Sequence, residues 1–268
     1  MKTKTPKLRR SLSGIIVLAL TAFLVGVSLR AGAQSGADPA AGTETGTVLI
    51  TGANRGIGLE LARQYSAAGW QVMGTARRPD AAHELRAFDA EILQLDVTDQ
   101  ESVDRLARDL ADRPIDILIN NAGIQPLMWK LADVDIAEFE RALSVNTVGP
   151  VRVVRALMPN LRSGKHRKVV NVTTNLSSIA GNTDGGFYGY RESKVALNMF
   201  TRSLAAELGP EGFICIVLHP GWVRTDLGGP DAPLNVTESV TGMRRVIEGL
   251  VPADNGSFHT YAGEQMAW

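Results

Sequence analysis

The sequence predicts an α/β fold: a single domain with a doubly wound, mainly parallel seven-stranded sheet and helices on both faces. From Thr47 onward, short runs of β-branched and apolar residues alternate with helical stretches of a dozen residues or more. A glycine-rich turn directly follows the first of these runs and opens the first helix. In such a sheet, ligands bind in the crevice at the carboxyl ends of the strands, where the strand order reverses.

The first 46 residues differ in composition from the rest of the chain. Five basic residues lie among the first ten positions, residues 14–29 carry no charge and are mostly apolar, and Ala31-Gly32-Ala33 has the small-residue pattern of a signal-peptidase site. The apolar run is shorter than the roughly 20 residues of a full membrane span. We therefore predict a signal peptide or an N-terminal membrane anchor over residues 1–33 and a linker over residues 34–46.

This segment also predicts where the protein is located. Arg9-Arg10 resembles part of a twin-arginine signal, a route that exports proteins already folded. We expect export to the periplasm or cell envelope, by that route or another, or attachment to a membrane through residues 14–29. A cytoplasmic location is the less favoured alternative.

The charge and cysteine content argue against several kinds of partner. The chain has 28 basic and 28 acidic residues, and the basic ones form no stripe in the domain, so we expect no nucleic-acid partner. Cys215 is the single cysteine, so no intrachain disulfide can form. The four histidines are scattered without metal-ligand spacing, and we assign no metal.

Strands and helices alternate along the domain. The apolar runs predict strands over residues 48–51, 71–75, 91–95, 115–119, 168–172 and 214–218, with a last short strand near Phe258. Helical spacing indicates helices over residues 56–68, 100–112, 136–161 and 187–208. Residues 227–239 are rich in Gly, Pro and Asp and are predicted to form a mobile loop.

The turn after the first strand, from Thr51 to Gly58, has the pattern of a dinucleotide-binding loop. Its glycines permit a tight turn, let the backbone approach a pyrophosphate and let the helix pack close to the sheet. The phosphates would then meet free N–H groups at the start of the helix. The candidate cofactor-binding residues here are Gly52, Asn54, Arg55, Gly56, Ile57 and Gly58.

The residues after the second strand predict which dinucleotide binds. NAD binding favours an acidic residue at this point, which would hydrogen-bond the ribose hydroxyls. Residues 74–79 contain no carboxylate, whereas Arg77 could bind a 2′-phosphate and Arg55 could reach the same group. A charge-assisted hydrogen bond of about 1.5–3 kcal/mol would favour NADP(H) about tenfold or more. The alternative is that Arg77 and Arg78 are solvated loop charges.

Polar and small residues also end the third and fourth strands. Asp96 and Val97 end the third, and Asn120, Ala122 and Gly123 end the fourth. Small residues suit a close backbone approach to a cofactor, and Asn120 could hold neighbouring strands together. All five are therefore candidate residues of the cofactor site, although Asp and Asn at strand ends are also common in turns.

Tyr190 and Lys194 are spaced four residues apart on a predicted helix and therefore share one face. A phenol has a pKa of about 10 in water, so it needs nearby positive charge to exchange protons near neutral pH. The Lys194 ammonium would supply such a charge. The pair predicts general acid–base chemistry in a sheet that already carries a nucleotide-binding loop.

These motifs agree in order and spacing with one known family. The Thr51–Gly58 loop, Asp96, Asn120–Gly123, Asn146, the Tyr190/Lys194 pair and Pro220-Gly221 together resemble the short-chain dehydrogenase/reductase family over residues 47–268. Residues 181–191, residues 219–229 and the stretch from Tyr261 to Trp268 are similar to its branch of C-factor and Sniffer-like carbonyl reductases. The resemblance implies a Rossmann fold and hydride transfer between NADP(H) and a carbonyl or alcohol substrate.

The resemblance also implies roles for individual residues. Tyr190 would be the general acid in carbonyl reduction, and Lys194 would lower its pKa and bind the nicotinamide ribose. Asn146 would hold a water molecule in the proton relay. A homodimer or homotetramer that pairs through the predicted helices 136–161 and 187–208 is expected. The nicotinamide would contact the residues Pro220, Gly221, Val223 and Thr225.

One position departs from the family's pattern. The family has a catalytic serine just past the fifth strand, where this chain has Asn171-Val172-Thr173-Thr174. Alignment by the end of the strand favours Thr174, whereas the commoner spacing of thirteen residues before Tyr190 selects Ser177. Ser178 is a further alternative.

The expected substrate is a small-to-medium, largely apolar carbonyl compound, over which the loop of residues 227–239 would close. One alternative function is an NADP-binding signalling or sensor protein with little turnover. This alternative remains because Thr174 stands in place of the family's catalytic serine. Another is an interaction protein of the cell envelope. The presence of Tyr190, Lys194 and Asn146 argues against both. The candidates to line the substrate crevice are Trp129, Phe187, Tyr188 and Trp222.

Overall fold

The computed structural model describes residues 45–268. Residues 1–44, which hold the predicted signal peptide or anchor and most of the predicted linker, lie outside the described residues. Within residues 45–268, no helix combines the length and the apolar character that crossing a membrane requires.

The described residues contain one sheet of seven strands, and every neighbouring pair is parallel. The order across the sheet is β3-β2-β1-β4-β5-β6-β7, so it reverses between β1 and β4. This order confirms the predicted doubly wound α/β fold and puts the crevice at the ends of β1 and β4. The strands are β1 (Thr47–Ile50), β2 (Gln71–Ala76), β3 (Ala90–Gln94), β4 (Ile117–Asn120), β5 (Lys168–Val172), β6 (Ile214–His219) and β7 (Phe258–Thr260).

Helices cover both faces of the sheet. On one face, Tyr65 and Met243 belong to a buried apolar layer, and on the other face Leu106 and Leu204 belong to a second. Apolar burial on both faces explains why the strands read as continuous apolar runs. The helices are α1 (Gly56–Ala67), α2 (Gln100–Leu110), α3 (Ile136–Leu143), α4 (Gly149–Ala156), α5 (Met158–Ser163), α6 (Tyr190–Leu208) and α7 (Val236–Gly249).

The expectation of one continuous helix over residues 136–161 is wrong. Between α3 and α4 the chain forms a π-helical turn, Ser144–Val148, in which the N–H of Gly149 bonds the carbonyl of Ser144. Pro150 favours this break because it lacks the N–H that a regular α-helix would direct at the carbonyl of Asn146. An apolar pattern spans such a turn almost unchanged, so hydrophobic spacing does not reveal it.

Helix α7 is absent from the helices that the sequence predicts, and it begins within the predicted mobile loop. The expectation of a loop is therefore wrong for residues 236–239. The Asn235 side chain caps the helix by accepting the N–H of Glu238 at 2.8 Å. Val240, Met243 and Ile247 are buried. Thr, Ser and Gly occupy much of the rest of α7, and their low helix propensity obscures its pattern.

Candidate active site

The glycine-rich loop between β1 and α1 leaves the start of the helix open to a ligand. Gly52 and Gly56 have φ angles of 66° and 56°, which glycine adopts readily. A Cβ at Gly58 would collide with the carbonyl oxygen of Gly52, so only glycine fits there. Arg55, the N-cap residue, makes no side-chain cap, and the first turn of α1 has no acidic residue. The N–H groups of that turn are therefore suited to an anionic group such as a pyrophosphate.

The two other predicted residues of this loop contribute differently. Asn54 is exposed at its tip. The side chain of Ile57 packs against the apolar core, so only its backbone faces the predicted ligand.

Thr51 and Asn121 hold the loop in place from the end of β4. The Thr51 hydroxyl accepts the N–H groups of Asn121 and Ala122, both at 3.0 Å. The Asn121 side chain donates to the carbonyl oxygens of Thr51 at 3.0 Å and Gly52 at 3.1 Å. Sequence reasoning missed both residues, although the Asn120-Asn121 doublet at a strand end was the signal that could have identified Asn121.

Asn120 lies within the sheet. Its amide donates to the Asn171 side chain at 2.8 Å, and this buried bond links β4 to β5. Asn120 holds neighbouring strands together, as the sequence predicts. Its side chain therefore supports the strand end that borders the cofactor groove.

Asp96 and Val97 follow β3. Burial raises the pKa of the Asp96 carboxyl, but hydrogen bonds from Thr98 and the charge of Arg77 outweigh this effect and leave the pKa below its usual value. Asp96 is therefore an anion beside the Arg77 guanidinium. Val97 is largely buried and touches Gly149 at the start of α4, where a Cβ would come within 2.9 Å of it.

Tyr190 is the first residue of α6, and its side chain is only 7% exposed. Burial raises the pKa of the Tyr190 phenol to about 12, and a hydrogen bond with the Thr174 side chain opposes that rise. The phenol is therefore protonated at neutral pH in the protein without a cofactor. Thr174 follows the end of β5, so its effect on the phenol brings together the two elements that meet at the crevice.

Lys194 lies one helical turn after Tyr190 and converges with Asn146 on Gly123. The Lys194 ammonium donates to the carbonyl oxygen of Val172 at 2.7 Å, and burial lowers its pKa to about 8. A Cβ at Gly123 would lie 3.2 Å from Asn146 Oδ1 and 3.5 Å from Lys194 Nζ. Among residues 45–268, no carboxylate forms an ion pair with this buried ammonium.

The side chain of Asn146 is held from both sides. Its Oδ1 accepts the N–H of Ile124 at 2.9 Å, and its Nδ2 donates to the carbonyl of Ile124 at 2.8 Å and to Ser193 Oγ at 2.9 Å. Both amide N–H donors are thus used. Ser193, which the sequence does not single out, in turn donates to the carbonyl of Tyr190 at 2.8 Å.

Of the three candidate hydroxyls after β5, Thr174 is the one whose side chain lowers the pKa of the Tyr190 phenol. Its hydroxyl donates to Asn175 Oδ1 at 3.3 Å. Ser177 is 1% exposed and lies in a separate network, in which it donates to the Thr174 carbonyl at 2.5 Å and accepts from Asn198 at 2.9 Å. Ser178 donates to the carbonyl of Trp268 at 3.3 Å. These hydrogen bonds engage both serines with partners other than the phenol.

The chain after β6, residues Pro220–Leu234, crosses over the groove to the glycine-rich loop, and we call it the crossing segment. It is closed on itself by a bridge between Val223 and Leu234, so the side chain of Val223 is buried. A Cβ at Gly56 would lie 3.4 Å from the methyl group of Thr225. Beside it, Arg55 Nη1 forms an ion pair with Asp226 Oδ2 at 2.7 Å.

The other two predicted residues of the crossing segment turn the chain as it leaves β6. The carbonyl of Pro220 accepts the Ser239 hydroxyl at 2.6 Å, which joins the segment to α7. Gly221 has a φ of 85° and lies against Leu234 and Tyr261.

The four aromatic residues predicted to line the substrate crevice differ in their contacts. The rings of Trp129 and Phe187 lie 4.2 Å apart, and the guanidinium of Arg191 lies 5.7 Å from the Phe187 ring. Trp222 is 58% exposed and donates to the carbonyl of Gly228 at 2.7 Å. Tyr188 is half-buried, and its N–H bonds the carbonyl of Met128 at 2.9 Å. Three of these rings are on loops that flank Tyr190.

The site offers a proton donor in Tyr190, a second hydroxyl in Thr174, and the Lys194 cation next to Gly123 at the end of β4. Within residues 45–268, no three His, Cys, Asp or Glu side chains are grouped so that they could hold a metal ion.

Comparison with known proteins identifies relatives of this chain. Residues 46–233 match the family model of the short chain dehydrogenases. The chain is 51% identical to C-signal of Myxococcus xanthus over 162 residues, which are 60% of this chain and 98% of that protein.

Two solved carbonyl reductases share the fold. Carbonyl reductase Sniffer of D. melanogaster is 37% identical, with a TM-score of 0.79 that covers 84% of this chain and 100% of that one. The NADPH-bound carbonyl reductase from chicken fatty liver is 31% identical, with a TM-score of 0.76 over 83% of this chain and 98% of that one. With a family match over residues 46–233 and neighbours of this similarity, the chain belongs to the short-chain dehydrogenase/reductase family.

Proposed function

We propose that this protein is an NADP(H)-dependent carbonyl reductase in which Tyr190 is the proton donor. The burial of Tyr190 and Lys194 beside the open start of α1 carries the proposal. Burying an ammonium without a carboxylate partner costs stability, and such groups cluster at functional sites.

The chemistry needs a hydride at the carbonyl carbon and a proton at the carbonyl oxygen. NADPH, when bound, supplies the hydride. Because the pKa of Tyr190 is about 12, the phenol is protonated at neutral pH and can give its proton to the oxygen as negative charge develops there. The Thr174 hydroxyl, whose side chain also lowers the pKa of this phenol, would donate a second hydrogen bond to that oxygen.

Tyr190 must then regain a proton from solvent. We place the relay water at the backbone carbonyl of Asn146, because both N–H donors of its side chain are already used. Pro150 leaves this carbonyl without the N–H of a regular α-helix. The Lys194 ammonium, one turn from Tyr190, would hold the cofactor's ribose and supply positive charge beside the phenol.

The cofactor-binding loops support a preference for NADP(H). We assign the 2′-phosphate to Arg77, which follows β2, and to Arg55 in the glycine-rich loop, and no acidic residue stands directly after β2. The structural neighbour from chicken fatty liver was solved with NADPH. We assign the pyrophosphate to the backbone of Gly56, Ile57 and Gly58, and the nicotinamide to the region of Gly123 and the crossing segment.

The surroundings of Tyr190 support an apolar substrate. The rings of Trp129 and Phe187 contact each other at a tilted angle, and Trp222 is exposed. We therefore propose aldehydes or ketones of small-to-medium size whose carbonyl reaches Tyr190 while the rest packs against these rings.

We also propose that the protein acts outside the cytoplasm as a homodimer or homotetramer. The predicted signal peptide or anchor in residues 1–33 supports export or attachment to a membrane. The family resemblance supports pairing through the helical regions of residues 136–161 and 187–208. Cell fractionation with an antibody against the full chain would test the location, and light scattering would test the assembly.

An NADP-binding signalling protein with little turnover is the second candidate. Two observations favour it: the 51% identity to C-signal, and Thr174 in place of the family's serine. The two functions differ in turnover and agree in NADPH binding.

The deciding experiment follows NADPH absorbance when the full-length protein is mixed with a panel of aldehydes, ketones and quinones. Turnover that Tyr190→Phe lowers by about 10²–10⁴-fold, with NADPH still bound, would support the reductase. Tyr188→Phe is the matched control, since it removes a hydroxyl two residues away. NADPH binding without turnover over the whole panel would favour the signalling protein.

A further inference from the structure

The crossing segment brings a carboxylate to one of the two cations assigned to the cofactor. Arg55 belongs to the glycine-rich loop after β1, and Asp226 belongs to the segment after β6. In the sheet, β1 and β6 are separated by β4 and β5. The 2.7 Å ion pair of Arg55 and Asp226 therefore joins the two walls of the cofactor groove across its width.

The position of Asp226 is fixed by backbone contacts on either side of it. The N–H of Arg224 bonds the Leu234 carbonyl at 2.9 Å, and its guanidinium bonds the Ala232 and Pro233 carbonyls, both at 2.9 Å. The N–H of Gly228 bonds the Thr225 hydroxyl at 3.1 Å. The carboxylate therefore has a defined place opposite the glycine-rich loop.

The ion pair itself is easily opened. The side chains of Arg55 and Asp226 are 67% and 75% exposed. Exposed pairs of this kind contribute about 0–1 kcal/mol, so a phosphate that binds in the groove can displace the carboxylate. The other assigned cation, Arg77, has no ion-pair partner among residues 45–268, and its charge acts on Asp96.

Resting on the proposed NADP(H) dependence, we propose that Asp226 competes with the cofactor's 2′-phosphate for Arg55 and thereby limits the preference for NADP(H) over NAD(H). In the protein without cofactor, the carboxylate occupies the guanidinium. Binding of NADPH transfers Arg55 from Asp226 to the phosphate, whereas NADH carries no 2′-phosphate to make the exchange. Asp226 thereby lowers the affinity for NADPH and leaves that for NADH nearly unchanged.

The test is a fluorescence titration of the full-length protein with NADPH and with NADH. Asp226→Asn keeps the side-chain shape and removes the charge, so the Kd for NADPH should fall about two- to fivefold, with little change for NADH. The gain should shrink as salt rises, because ions screen exposed charges. Asp231→Asn removes a charge from the same segment, and Asp231 forms no ion pair with an arginine among residues 45–268, so this variant should have no such effect.

A double variant separates competition from simple repulsion. If Asp226 acts through Arg55, Asp226→Asn should give no further gain in the Arg55→Gln protein. An unchanged or raised Kd for NADPH in Asp226→Asn alone would overturn the inference, since the pair would then be neutral or would hold the cofactor in place. Failure of the wild-type protein to bind either dinucleotide would overturn the proposed function as well.

Discussion

Lys194 is a buried cation whose charge depends on pH near the working range. Burial lowers its pKa to about 8, so it is charged below that pH and becomes neutral above it. Tyr190, with a pKa of about 12, stays protonated throughout the same range. In the proposed mechanism the positive charge assists the reaction, so kcat/KM for carbonyl reduction should fall as pH rises through about 8.

Steady-state rates measured from neutral pH to well above 8 check this expectation. Lys194→Arg is the informative variant, because arginine keeps its charge at every pH used. Its activity should be lower than that of the wild type, but its kcat/KM should not fall as pH rises through about 8. A wild-type profile that stays flat through the same range would show that the charge of Lys194 does not limit the reaction.

The hydroxyls of Thr174 and Ser177 should respond differently to removal. Thr174→Ala should lower kcat about 10²-fold or more, as expected when a donor to the reacting oxygen is lost, and Thr174→Ser should retain activity. Ser177→Ala should leave kcat nearly unchanged but destabilise the fold by about 1–3 kcal/mol, because Asn198 loses a buried partner. Kinetics and thermal unfolding of the three variants separate these roles, and a larger kcat loss in Ser177→Ala would reverse the assignment.

The sequence could predict which residues meet at Gly123, but not which hydroxyl joins them. Spacing on a helix puts Tyr190 and Lys194 on one face, and strand ends in a parallel sheet meet at one edge. The choice between Thr174 and Ser177 depends on a short turn of residues 175–177, whose hydrogen bonds direct Ser177 into the core. No periodic pattern encodes such a turn.

At the scale of the elements, the π-helical turn between α3 and α4 has a role in the proposed proton relay. Pro150 leaves the carbonyl of Asn146 free to bind the relay water. Pro150→Ala restores the missing N–H and should let the helix close on the carbonyl of Asn146. We expect the variant to unfold at a higher temperature and to have a lower kcat, with the Kd for NADPH unchanged. Opposite changes in stability and activity are the signature, since a purely structural role would lower both.

Val151→Ala is the matched control for this experiment, because it changes the next residue of α4 and leaves its N–H in place. It should leave kcat near the wild-type value. If Pro150→Ala also keeps full activity, the relay water is held elsewhere than at Asn146.

The two elements that the sequence does not predict have different physical causes. The π-helical turn arises from one missing N–H, which hydrophobic spacing does not record. Helix α7 buries Val240, Met243 and Ile247 at helical spacing, but in a stretch of low helix propensity. The strands, which are apolar on both faces, depend on spacing and length, so their positions follow from the sequence.

At the scale of the whole molecule, the cofactor groove is assembled from the chain after β1, β2, β4 and β6, so it exists only in the folded protein. NADPH should therefore stabilise the fold by about 2.7 kcal/mol at 100 times its Kd, and NADH at the same concentration should stabilise it less. Arg77→Gln should bring the rise in Tm with NADPH close to that with NADH, whereas Arg78→Gln, its exposed neighbour of equal charge, should leave the difference intact. Thermal unfolding of the full-length protein followed by circular dichroism measures both. If both variants lose the same part of the rise in Tm, NADPH responds to the total positive charge after β2 and not to Arg77 itself. If NADPH does not raise the Tm of the wild type, the protein does not bind the dinucleotide.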